Sequence, residues 1–391
     1  MIKILLTGGG TGGSVSPLLA VASQLRIRNK ELGIMKKNKK FSTSSSSTNN
    51  SLCVMRYTLC DYDFLWLGTR NGPERQMVEM EDIKFKAIFS GKLRRYFSLK
   101  NITDLFNIII GFFQAFFIII KYKPNLAISA GSFVSVPIIW ASYILRIPVL
   151  IHQQDVMPGL ANKLMAPFAK VITVTFKKSL DDYGKKAVWT GNPIRKQFSI
   201  FNFQFSIQNI KNKFNLSQNL PIVLIMGGGT GAMAINKLVW KNLDELTKFC
   251  QIIHITGQDK NKRYALCVMR YACYKFLNSN EMAEAYAAAN IVVSRCGMSI
   301  LTELAHLKKP AILIPMPKTH QEENAKIFKE KDVAIVMDQN KITSKNFVEN
   351  IKNLLNNQEL QSKLCSNISK VMKSGANENV AKIIQTLTTL V

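Results

Sequence analysis

Short apolar runs alternate with stretches of helical periodicity along nearly the whole chain. In the first half the runs fall at Ile2–Leu6, Phe64–Leu67, Phe85–Phe89, Leu126–Ser129, Pro148–His152 and Val171–Thr175. In the second they fall at Ile222–Met226, Ile252–Ile255, Ile291–Ser294, Ala311–Ile314 and Val333–Val336. Runs this short, bounded by turn residues, predict buried strands. Their alternation with helices predicts an α/β fold with mostly parallel sheets.

The first run of each half ends in a glycine turn. One reads Ile2-Lys3-Ile4-Leu5-Leu6-Thr7-Gly8-Gly9-Gly10-Thr11-Gly12-Gly13-Ser14, and the other Ile222-Val223-Leu224-Ile225-Met226-Gly227-Gly228-Gly229-Thr230-Gly231-Ala232. Glycine allows positive φ and lets a ligand approach bare N–H groups, and the following helix start adds partial positive charge. Neither loop is followed by the lysine of a nucleotide-triphosphatase P-loop. The first also lacks the acidic residue that grips a nicotinamide ribose. Two such loops predict two nucleotide-fold halves facing each other across a cleft.

The pattern loosens into a Phe/Asn/Gln-rich stretch after Gly191-Asn192-Pro193. The expected division is therefore a first domain over 1–195, a linker over 196–220, a second domain over 221–375 and a terminal helix over 376–391. That last helix has no evident sheet partner. Residues 34–60, with a lysine cluster and a serine run, read as an inserted loop too polar to pack. The insertion contains Leu52-Cys53-Val54-Met55-Arg56-Tyr57, repeated unchanged at Leu266-Cys267-Val268-Met269-Arg270-Tyr271. No repeat period accompanies the copies, so they read as insertions without chemistry.

Composition changes the picture in one respect. Over 391 residues, 52 Lys+Arg stand against 25 Asp+Glu, a net charge of +27. This favours anionic partners or reflects a compositional bias; both readings stand. Seven cysteines without a CxxC pair predict reduced thiols in a cytoplasmic protein. The amino terminus enters a strand at once, so no signal peptide is expected. Leu105 to Ile120 is apolar, with Phe112, Phe113, Phe116 and Phe117 at its centre and Arg94 and Arg95 among its basic flanks. As a helix this segment spans about 24 Å, short of the ~30 Å hydrocarbon core. It reads either as lying in the headgroup layer of an anionic membrane or as wedged between protein neighbours.

A family resemblance follows from ten segments in order. In the first half these are GGGTGGSVSPLLAVA (Gly8–Ala22), GKLRRYFS (Gly91–Ser98), SAGSFVSVP (Ser129–Pro137), HQQDVMPGLANKLMA (His152–Ala166) and TGNPIR (Thr190–Arg195). In the second they are GGGTGAMAIN (Gly227–Asn236), ITG (Ile255–Gly257), MAEAYAAAN (Met282–Asn290), SRCGMSILTELA (Ser294–Ala305) and THQEENA (Thr319–Ala325). The set resembles the MurG family of GT-B glycosyltransferases, whose fold is two Rossmann-like domains facing across a cleft. The resemblance implies inverting transfer of N-acetylglucosamine from UDP-GlcNAc to lipid I, the undecaprenyl-diphosphate-linked acceptor, during peptidoglycan synthesis. It further implies a peripheral protein on the cytoplasmic side of the cell membrane, with no nucleic acid partner and no cofactor.

Residue by residue, it implies that Thr11, Gly12 and Gly13 serve the acceptor. Gly229, Thr230 and the helix start at Met298, Ser299 and Ile300 would serve the donor diphosphate. Glu303 is expected to accept ribose hydroxyls, Arg195 to pair with phosphate at the domain joint, and His320 and Gln321 to hold the sugar. The backbone near Leu277 would meet uracil. No metal cluster is visible, so Arg195 and helix starts would neutralise the diphosphate. Two positions depart from the family. Ser14 stands where a histidine is usual, and His152-Gln153-Gln154-Asp155 where His-Glu-Gln-Asn is usual. A serine with an ordinary hydroxyl cannot serve as general base. Asp155 is the first candidate and His152 the second; Asp155 as a sugar ligand or helix cap stands beside them. A UDP-sugar transferase acting on diacylglycerol, or a membrane-binding relic without catalysis, are the alternatives.

Overall fold

Apolar runs and glycine turns assemble two sheets in a computed structural model that describes residues 1–10, 12–27, 61–91, 100–199, 207–214, 216–217, 219–228, 231–257 and 270–389. Thr11, Arg94, Arg95, Gly229, Thr230 and the 34–60 segment lie outside the described residues. So do both hexamers, apart from Arg270 and Tyr271. The chain divides into two compact units. One comprises residues 1–152, 159–173 and 375–391, the other 153–158 and 174–374.

The first sheet contains β1 (Ile2–Thr7), β2 (Tyr62–Gly68), β3 (Lys84–Ala87), β4 (Leu126–Ser129), β5 (Val149–Gln153), β6 (Val171–Val174) and β7 (Ala187–Trp189), in the order β3-β2-β1-β4-β5-β6-β7. The second contains β8 (Ile222–Met226), β9 (Gln251–Ile255), β10 (Tyr271–Tyr274), β11 (Ile291–Ser294), β12 (Ala311–Leu313) and β13 (Ile335–Val336), in the order β10-β9-β8-β11-β12-β13. β1 pairs in parallel with β2 and β4, and β8 with β9 and β11. Each sheet thus reverses its order beside the strand that carries a glycine loop. In doubly wound sheets such a switch point opens a crevice at the carboxyl ends of the strands.

In the first unit Ile4, Leu6, Trp66, Ile128 and Leu150 form a core with Leu18 and Leu25 of the helix over 16–27. The terminal helix Ala376–Thr389 joins the same core through Val380, Ala381, Ile384 and Leu387, a stripe at helical spacing. It therefore has the sheet partner that its sequence did not reveal.

The expected joint near 191–220 falls inside the second unit. Thr190 and Gly191 donate backbone hydrogen bonds to the Val174 carbonyl. Ile194, Phe198, Ile210 and Phe214 are buried in one core with Leu224 and Tyr286. Two strands escaped the apolar pattern. β7 is three residues long with Val188 40% exposed, and β10 begins at the last residue of the second hexamer.

The apolar helix runs from Lys100 to Tyr122, 23 residues, and spans about 34 Å. The expected length was too short because the polar residues at both ends continue the helix. Gly111, Ala115 and Ile119 line a buried face, and a Cβ on Gly111 would stand 2.0 Å from the Phe89 carbonyl oxygen. Phe89 N donates to Gln114 Oε1 at 2.8 Å. Phe106, Phe113 and Phe117 face outward, each more than half exposed.

Tyr271 gives the end of the second hexamer a structural role. Its hydroxyl accepts from Trp240 Nε1 at 3.1 Å and meets His254 Nδ1 at 2.8 Å. His254 Nε2 lies 3.1 Å from Asn236 Oδ1, whose amide nitrogen donates to the Thr256 carbonyl. Asn236 Oδ1 can only accept, so Nε2 of the imidazole carries a proton. Burial lowers the His254 pKa from 6.5 to about 3. The unfolded chain binds a proton between those values that the folded chain refuses. This contribution to stability is intact above pH 6.5 and shrinks as pH falls towards 3. Urea midpoints between pH 7 and pH 4 should fall more steeply in the parent than in His254→Gln; equal slopes would exclude His254 as a source of acid sensitivity.

Candidate active site

In the first unit the glycine loop is tied from below. Gly10 adopts φ +78°, and a Cβ there would press on the Phe133 ring at 2.9 Å. Its N–H donates to Glu74 Oε2 at 3.1 Å, while Thr69 N donates to Glu74 Oε1 at 2.8 Å. The Thr69 hydroxyl also donates to Glu74 Oε1. Glu74 is fully buried, and these N–H and O–H donors are what a buried carboxylate requires. Gly12, Gly13 and Ser14 form a short 3-10 turn. Ser14 Oγ accepts from Gly9 N at 3.1 Å and lies 3.2 Å from the Gly9 carbonyl, to which it donates. In this chain the residue at the family's histidine position closes the loop on itself.

His152 lies inside β5, 1% exposed, with Nδ1 2.9 Å from Thr173 Oγ1. Asp155 belongs to the second unit, and its attachments explain why. Asn324 donates from Nδ2 to Asp155 Oδ1 at 2.9 Å and accepts from Val156 N at 3.1 Å. His320 Nε2 stands 3.8 Å from the same Asp155 oxygen. Ser179 Oγ donates to the Val156 carbonyl. Asp155 is about one-third exposed, and among the described residues its Oδ2 has no hydrogen-bond partner. Gln153, where the family usually has a glutamate, donates from Nε2 to the carbonyls of Asp155 at 2.7 Å and Met157 at 3.1 Å. Its Oε1 accepts from the Tyr183 hydroxyl at 2.9 Å. Only an amide can meet both demands.

The second unit gathers most of the expected donor residues. The helix Met298–Leu307 starts after Gly297 without a side-chain cap, so the amides of Met298, Ser299 and Ile300 form its open first turn. Gln321, in the first turn of the helix His320–Glu330, accepts through Oε1 from Cys296 N at 3.2 Å and Met316 N at 3.1 Å. That fixes the amide and leaves its NH2 as the donor end. His320, beside it, is more than half exposed. Asn192 donates to Thr302 Oγ1 at 2.7 Å, so the Gly-Asn-Pro motif is pinned to the same helix. Arg295 is buried and donates to the carbonyls of Ile314 and Pro315, both at 3.0 Å, and to Gln339 Oε1 at 2.5 Å. Burial lowers its pKa without removing its charge.

Arg195 and Glu303 meet directly. Arg195 Nη2 donates to Glu303 Oε1 at 2.9 Å, and Nη1 donates to Ser279 Oγ at 2.8 Å. The Tyr286 hydroxyl donates to Glu303 Oε2 at 2.9 Å. Burial raises the Glu303 pKa, opposed by Arg195 and Tyr286. Leu277 is buried, whereas the neighbouring Phe276 is 69% exposed. Tyr286 and Asn324 were missed in sequence. A single tyrosine in an alanine-rich helix, and the last polar residue of THQEENA, were the available signals.

Residues 222–386 match the Glycosyltransferase family 28 C-terminal domain, and residues 57–174 the N-terminal domain of the same family. A transferase of Clostridium botulinum (strain Kyoto / Type A2), named UDP-N-acetylglucosamine–N-acetylmuramyl-(pentapeptide) pyrophosphoryl-undecaprenol N-acetylglucosamine transferase, is 35% identical over 99% of this chain and all of its own. A protein of the same name from Clostridium kluyveri is 38% identical over 90% of this chain and 91% of its own. Among solved structures, the MurG of Acinetobacter baumannii aligns over 99% of this chain and all of its own, with TM-score 0.68 at 22% identity. The Neisseria meningitidis UDP-GlcNAc 2-epimerase bound to UDP-GlcNAc aligns over the same shares with TM-score 0.67 at 13% identity. The fold is GT-B.

A glutamate at position 153 would set a carboxylate against two carbonyls. Gln153→Glu should lower stability by about 2–4 kcal/mol at neutral pH. An unchanged urea midpoint would show that the 153–157 turn does not depend on this amide.

Proposed function

We propose, since this chain belongs to glycosyltransferase family 28, that it transfers N-acetylglucosamine from UDP-GlcNAc to lipid I, yielding lipid II and UDP. The observation that supports this most is the likeness to the C. botulinum transferase over 99% of the chain, which takes in both halves. The first unit takes the lipid-linked acceptor on its glycine loop, and the second takes the donor. The open turn at Met298, Ser299 and Ile300 receives the diphosphate, assisted by Arg195. Glu303 meets the ribose, and Gln321 with His320 meets the sugar. The backbone near Leu277 meets uracil.

In the chemical step the acceptor hydroxyl attacks the anomeric carbon, the bond to UDP breaks, and the hydroxyl proton passes to a base. Asp155 is that base. It is a partly exposed carboxylate oriented by Asn324, whereas Ser14 is spent on loop closure and His152 is buried in a strand. The departing diphosphate is stabilised by helix amides and Arg195, which act where negative charge develops.

The outward face of the Lys100–Tyr122 helix, with Phe113 and Phe117, supports docking on the cytoplasmic face of an anionic membrane. Crossing the bilayer would strip Gly111, Ala115 and Ile119 from their packing.

Asp155→Asn should lower kcat with lipid I roughly 10²–10⁴-fold, the usual yield of general-base catalysis. Wild-type kcat would remove Asp155 from the chemistry. Phe113→Ser with Phe117→Ser should weaken binding to vesicles containing phosphatidylglycerol about tenfold, while UDP affinity stays unchanged. Undiminished vesicle binding would discard this face as the docking surface.

A further inference from the structure

Both oxygens of Glu303 are engaged within the protein, one by Arg195 and the other by Tyr286. The two partners are held differently. Tyr286 is fully buried, edge-on to Phe198 with ring centroids 5.9 Å apart, and beyond Glu303 its hydroxyl meets the weak acceptor Met226 Sδ at 3.9 Å. Arg195 is about one-quarter exposed, lies over the Phe198 ring at 5.0 Å and is anchored at its far nitrogen by Ser279. One partner is fixed, and the other can be drawn away.

We propose that Arg195 is a specificity-determining residue whose guanidinium competes with the nucleotide ribose for Glu303 Oε1 and yields that oxygen only to a diphosphate. The site then favours UDP over uridine by more than the phosphate contacts alone supply. This rests on the reading above of Glu303 as the ribose carboxylate and Arg195 as the diphosphate partner.

Conservation of charge at each group explains the exchange. When a diphosphate arrives, Arg195 trades one anionic acceptor for another and keeps charge-assisted bonds throughout. Glu303 loses a cation and gains ribose hydroxyl donors while Tyr286 still holds Oε2. Uridine offers the hydroxyls but no anion. Arg195 would have to leave a buried carboxylate with nothing to receive it, and burial already disfavours the Glu303 charge. Tyr286 is the positioning residue that keeps the carboxylate in place during the exchange.

Titration calorimetry of the full-length chain with UDP and with uridine tests this. Arg195→Met should weaken UDP binding about tenfold and tighten uridine binding about threefold, so that the two affinities converge. Ser279→Ala loosens Arg195 without removing its charge, and should tighten both ligands about threefold. Uridine affinity that is unchanged or weaker in Arg195→Met would reduce Arg195 to a phosphate ligand and overturn the proposal. If Arg195→Met does not fold, Ser279→Ala decides alone, and uridine affinity at or below the parent value overturns it. A parent protein that ignores UDP would instead overturn the reading of the donor site itself.

Discussion

Parallel strand pairing is the constraint from which the rest follows. Parallel neighbours need long crossovers, so each sheet must place helices between its strands, and every strand presents its carboxyl end along one edge. Where the order reverses, beside β1 and β4 in one sheet and β8 and β11 in the other, successive crossovers leave to opposite faces. Backbone amides at those points find no strand partner and must be met by something else. In the first unit Glu74 and Ser14 meet some of them. In the second, Gln321 receives Cys296 N while the next helical turn stays open. The difference is chemical: a carboxylate under the first loop supplies a negative partner, whereas the helix Met298–Leu307 starts without a side-chain cap.

Buried charge in the second unit is arranged by the same logic. Arg295 donates to neutral carbonyl and amide oxygens, so it keeps its charge without a carboxylate and holds the Ile314–Pro315 segment. Arg195 instead shares its charge with Glu303. A buried guanidinium satisfied by carbonyls is a fixture, because nothing stronger is on offer nearby. A guanidinium on a carboxylate has an equal alternative in any diphosphate. These two arginines are therefore held in different ways, although both belong to the second unit.

Much of this was legible in residue order because the signals were local. The fully buried strand β8 is apolar throughout and β11 is apolar up to its last residue, Ser294, and the glycine turns after β1 and β8 stand out without any neighbour. β7 was not legible, since a three-residue edge strand with an exposed valine carries no period. β10 was hidden by the hexamer that runs into it. The terminal helix displayed its stripe but not its partner, which lies at the other end of the chain. Within the site, Arg195 and Glu303 were each legible from their motifs. Their mutual bond was not, because it joins residues 108 positions apart that only the fold brings together. The attachments of Asp155 were not legible for a similar reason. The strand before it belongs to the first unit, but the bonds of the 153–158 turn run to Asn324 and Ser179.

That placement changes how the departures from the family fit together. A histidine on the first glycine loop would belong to the first unit. Here the loop position is a serine spent on closing the turn, and Asp155 is held in the second unit by Asn324. Asn324 also donates to the Cys296 carbonyl, immediately before the helix Met298–Leu307. One side chain thus orients both Asp155 and the backbone leading into that helix. Gln153 completes the arrangement, since its amide holds the Asp155 and Met157 carbonyls where a glutamate would repel them. The side chains at positions 14 and 153 thus do similar work, each spent on holding its own turn.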